Sequence, residues 1–83
     1  MITPDQCRAA RGLLNWTQEE LAFQAALGIV TIRQFEAGRI QPRKKTLKAI
    51  RSTFDFWSVE ILDEDGHGGV GVRFEKRIVR RRK

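Results

Sequence analysis

The sequence predicts a mainly α-helical domain of four helices, followed by a C-terminal β-hairpin and a basic tail. Three observations predict it. Apolar residues recur three and four apart between Cys7 and Phe54. From Val59 to Phe74 they alternate instead. Residues 76–83 show no apolar period and hold six bases and no acid.

Thr3-Pro4-Asp5-Gln6 predicts the first helix start. Thr3 can accept from a free backbone N–H, Pro4 suits the first helical position, and Gln6 can reach back as in a capping box. Cys7, Ala10 and Leu14 then give one apolar face, so the helix is expected over about 4–14. Thr17 and Glu20 form a second capping box, opening a helix over about 17–25 with Leu21 and Ala25 inward. Ala26-Leu27-Gly28 is the turn, and Gly28 can cap a third helix. Ile32 and Phe35 share the inner face of that helix, which Gly38 ends. Ile40 to Arg43 is a loop. A fourth helix over about 44–55 buries Leu47, Ile50 and Phe54. Val59-Glu60-Ile61 and the stretch from Val70 to Glu75 alternate around a Gly-rich loop, which reads as a hairpin.

A length of 83 residues allows a single domain. A chain this short buries only about 60–65% of its unfolded surface, so a deep catalytic cleft is not expected and dimerisation is a common remedy. No apolar run approaches the roughly 18–20 residues that span a bilayer. The N-terminus lacks a basic segment followed by an apolar stretch, and one cysteine cannot make an internal disulfide. A cytoplasmic location is therefore expected. The tail accounts for the whole net charge of +6, because the remainder holds 10 bases and 10 acids. Within that remainder, residues 33–51 carry seven bases against Glu36 alone, while residues 55–65 carry five acids and no base. Such a basic surface is the footprint of a phosphate-backbone binder. Gly38 and Pro42 break the basic stretch, which disfavours a membrane-surface helix.

Two short helices across a tight turn are the signature of a helix-turn-helix. The stretch LNWTQEELAFQAALGIVTIRQFEAGRIQPRKKTL resembles the lambda-repressor-like, XRE-type family of phage repressors and small bacterial regulators. The resemblance covers about residues 5–56 and rests on the TQEELA block, the TIRQFEAG block and the Pro-Arg before the next helix. It implies a helical domain over residues 1–56 whose third helix enters the DNA major groove while the second crosses the backbone. Carried over by position, Gln18 would clamp a phosphate. Ile29, Val30, Thr31, Arg33 and Gln34 would lie on or beside the exposed face of the recognition helix. Arg39, Arg43, Lys44 and Lys45 would meet backbone or minor groove. Gln34 sits where a bidentate amide could read adenine. Arg11 and Glu36 would pair between the first and third helices as scaffold.

The sequence departs from the family at the turn. Gly is usual near residue 26 and Ser or Thr near residue 28, whereas Ala26 and Gly28 stand here. The two positions after the cap are usually polar, whereas Ile29 and Val30 can read only thymine methyls. Arg33, Gln34 and DNA shape would then carry more of the specificity.

The late apolar residues Phe56, Trp57, Val59, Ile61, Val70, Val72 and Phe74 have two readings. As a hairpin extension over 57–75 they cover their own helices, or they join two subunits. A dimer is favoured, with residues 76–83 as a mobile basic arm. Catalysis finds little support: His67 has no nucleophile near it in sequence, and Cys7 lies on an apolar face. No cofactor is expected. The loop from Asp63 resembles a calcium loop but has Phe74 at its twelfth position, so no metal is expected either. The expected function is a DNA-binding transcription regulator, dimeric on a partly palindromic operator and autoregulatory. Another regulatory protein or RNA polymerase is a further candidate partner. The rival is a protein-interaction module, an antitoxin or anti-activator, which Ile29 and Val30 favour.

Overall fold

The computed structural model describes residues 1–75. The expected basic arm, 76–83, lies outside the described residues. Helix α1 (Pro4–Leu14) opens with the full capping box: Gln6 N–H donates to the Thr3 hydroxyl at 3.1 Å, and Thr3 N–H donates to Gln6 Oε1 at 2.9 Å. It ends on Asn15 in the left-handed conformation. Helix α2 (Gln18–Ala25) starts one residue later than expected, because Thr17 is the cap itself, accepting from Glu20 N–H at 3.0 Å. The Glu20 carboxylate accepts from Gln24 Nε2 one turn on.

The turn into helix α3 (Ile29–Glu36) passes through Ala26 at φ 57°. This is the position where the family usually has Gly, and an L-residue there costs about 1 kcal/mol. Gly28 starts α3 without a side-chain cap. Gly38, at φ 73°, turns the chain away after Ala37. Helix α4 (Lys44–Phe56) runs one residue beyond the expected end. Strands β1 (Val59–Leu62) and β2 (Gly71–Phe74) pair antiparallel, with Val59 opposite Phe74 and Leu62 opposite Gly71. The second strand is shorter than expected, and Val70 stands in the loop, 47% exposed.

The hairpin lies on the helices of its own chain, β1 against α4 and β2 against α1. Val59 and Ile61 are buried in one core with Ile2, Cys7, Leu21, Ile32, Leu47 and Phe54. Of the two readings, these residues take the one in which the hairpin covers its own chain: four helices of 8 to 13 residues leave an open side, and alternate residues of β1 fill it. Val72 and Phe74 are half-buried against the same core. Trp57 is half-buried, edge-on to Trp16 at 5.5 Å. Of the expected interface residues, Phe56 and Val70 remain exposed.

One side chain ties the hairpin to the start of the chain. Gln6 is buried, and its Nε2 donates to Leu62 O at 2.7 Å and to Gly71 O at 3.0 Å. A single amide thus caps α1 through its oxygen and clasps the mouth of both strands through its nitrogen.

Candidate nucleic-acid interface

The orientation of α3 is fixed from behind. Ile32 and Phe35 sink into the core, and Glu36, only 4% exposed, follows them. A buried carboxylate is costly unless paired and hydrogen-bonded. Glu36 is both. Arg11 reaches it from α1 as a fork, Nε to Oε2 and Nη2 to Oε1, both at 2.7 Å. Cys7 Sγ donates to Oε2 at 3.1 Å, and Gln18 Nε2 donates to Oε1 at 3.0 Å. Arg8 donates to the Glu36 backbone carbonyl. The expected Arg11–Glu36 pair is therefore present, and it is the centre of a larger cluster linking α1, α2 and α3.

The charges in this cluster support one another. Burial raises the Glu36 carboxyl, but the hydrogen bonds from Arg11, Cys7 and Gln18 and the Arg11 charge outweigh it, holding it below the ordinary carboxylate range. Arg11 is held protonated by its hydrogen bonds to Glu36. Burial, then the Glu36 carboxylate, push the Cys7 thiol far above its usual value, so it stays a neutral donor.

Gln18 gives one of its two amide N–H groups to Glu36 at 3.0 Å, and that bond leaves the second uncommitted. Ile29 is half-buried against the core, so part of its side chain anchors the first turn of α3. Val30 is 62% exposed, Arg33 is exposed, and Thr31 and Gln34 are half-exposed. Arg33 lies 3.7 Å from Glu19 on α2, an acid that the sequence reading passed over.

After α3 the chain stays close to it. Arg39 N–H donates to Gln34 O at 3.0 Å, which fastens the loop to the last turn. Arg39, Arg43, Lys44 and Lys45 follow, all exposed. Among the described residues none of these four has an ion-pair partner, whereas Arg8, Arg11, Arg33, Arg51 and Arg73 each have one. Helix α4 begins on Lys44 and Lys45 with no acid in its first turn, so side-chain charge and helix dipole add in sign. Together these groups form an exposed positive stretch that follows α3 in the chain.

No helix among the described residues is long and apolar enough to cross a membrane. No curated protein matches the chain. A family model described as helix-turn-helix matches residues 8–56, more than half of the sequence. With that match spanning α2, the turn and α3, the chain belongs to the lambda-repressor-like, XRE-type helix-turn-helix family of DNA-binding regulators.

Proposed function

We propose that this chain is a sequence-specific double-stranded DNA-binding transcriptional regulator. It acts in the cytoplasm, reads a partly palindromic operator as a dimer and controls its own gene. The observation that carries the reading is the set of exposed bases that follows α3, Arg39, Arg43, Lys44 and Lys45, none with an ion-pair partner among the described residues, with Arg39 bonded to the last turn of α3. Unpaired cations at a helix-turn-helix are set to replace counterions on phosphates. In this reading α3 lies in the major groove, Gln34 and Arg33 read base edges, and Val30 and Thr31 meet thymine methyls or bases. Arg39, Arg43, Lys44 and Lys45 hold the backbone. Gln18 acts through Glu36, setting the tilt of α3. Two such subunits reach half-sites about 34–36 Å apart.

A gel shift with the chain's own upstream region tests this. Gln34→Ala relaxes base preference at one operator position by about 1–3 kcal/mol. Arg43→Ala weakens all sequences alike and lowers the salt slope by about one. Wild-type binding by both variants at physiological salt refutes the site assignment. A second reading, a protein-interaction module, draws on Val30 and on Phe23, 80% exposed on α2. Absence of any specific DNA shift favours it.

A further inference from the structure

The outward face of α4 carries two neighbouring cavities. One, of about 270 Å³, is lined by Met1, Ile2, Lys44, Leu47, Lys48 and Arg51. The other, of about 370 Å³, is lined by Lys48, Arg51, Ser52, Asp55 and the β1 residues Val59 to Ile61. Lys48 and Arg51 line both, so the two lie side by side along the helix. Lys44, Lys48, Arg51 and Asp55 are spaced four, three and four apart, which puts them on one stripe.

The charge along this stripe changes sign. Its start is basic and its end is acidic. Arg51 is satisfied within the chain by Ile61 O at 3.0 Å and Asp63 at 3.5 Å, and Glu60 by Arg73 at 2.9 Å. Lys44, Lys48 and Asp55 have no ion-pair partner among the described residues, and Lys44 with Lys48 is a like-charge pair at i,i+4. A face that is positive at one end and negative at the other is complementary to itself when turned around.

We infer that this face of α4 is an interface with a second copy of the chain, formed by antiparallel packing of α4 on α4 about a two-fold axis near Ser52. In that arrangement Lys48 of each copy faces Asp55 of the other. Ser52 is small enough to let the helices approach at the crossing. Such an interface is isologous, so every contact occurs twice. The inference deepens the dimer in the proposed function by locating it, and moves it from the hairpin to α4.

The test uses the full chain without DNA, so that failure here and failure of DNA binding are read separately. Sedimentation at low salt and submillimolar concentration gives self-association. Lys48→Glu and Asp55→Lys each set two like-charge pairs across the axis, so each alone weakens self-association about tenfold or more. Mixed together, the two single variants associate with each other, because both cross pairs are then opposite in sign. The double variant Lys48→Glu/Asp55→Lys associates with itself. Both sites are exposed, and unchanged circular dichroism confirms that the variants fold. A monomeric wild type, single variants that associate like wild type, or a mixture that stays monomeric each overturns the interface.

Discussion

Replacing Arg11 by Met removes two of the four side-chain hydrogen bonds that reach the Glu36 carboxylate. It also removes the Arg11 donor to Trp16 O at 3.0 Å. Glu36, 4% exposed, is left with a thiol and an amide as its only side-chain donors among the described residues. Breaking a buried pair by removing one partner costs about 3–5 kcal/mol. The Arg11 side chain is 18% exposed, which lets water reach the site and sets the expected loss near the low end, about 3 kcal/mol. A chain of this length has a total stability of about 4–12 kcal/mol. At about 4–8 °C per kcal/mol for so small a domain, the melting temperature falls by roughly 12–24 °C. Thermal denaturation followed by circular dichroism at pH 7 measures it. Arg11→Met/Glu36→Leu recovers part of the loss, since the uncompensated charge is gone.

The same pair sets an acid dependence. Glu36 is more acidic in the folded state than its ordinary value of 4.5, so its stabilising contribution is complete above that pH. The contribution is lost as pH falls through the lower folded value, and Arg11→Met flattens that part of the profile. A loss below about 1 kcal/mol at pH 7, the size of an exposed ion pair, refutes the reasoning.

Three further outcomes are expected. Gln6→Leu removes both donors from the strand carbonyls of Leu62 and Gly71, and lowers stability by about 1–3 kcal/mol in urea denaturation. Ala26→Gly relieves the left-handed backbone at φ 57° and raises stability by up to about 1 kcal/mol, read as a higher urea midpoint. A chain ending at Glu75 lacks six bases, so its DNA affinity falls less steeply with salt than that of the full chain.

The helices were legible because their ends are written in local chemistry. Thr3, Thr17 and Gly38 act within a few residues of themselves, and the apolar spacing marks each inner face. The Arg11–Glu36 pair came from family resemblance alone, for nothing local joins residues 25 apart. The rest of its cluster had a signal: Cys7 and Arg11 are four apart on α1, so an acid that meets one lies near the other. The hairpin was legible as a hairpin but not in its placement. Alternation shows that Val59 and Ile61 point to one side, and the same pattern serves a partner or the chain's own helices. Ile29 is two-sided for a related reason. The first turn of a recognition helix has an inner as well as an outer side, and Gly28 provides no cap that fixes which residue turns inward.

The Gln6 clasp bears on the order in which the protein comes into being. Its two acceptors lie 56 and 65 residues further along the chain. During synthesis the first helix emerges long before the strands it holds. Contacts between distant parts of a chain are closed late and slow the folding step. The helices that carry the reading head therefore complete their core only when the hairpin arrives, and a nascent chain cut short before Gly71 has neither the clasp nor the second strand. The amide that starts the first helix is thus fully satisfied only by the strand that is made last.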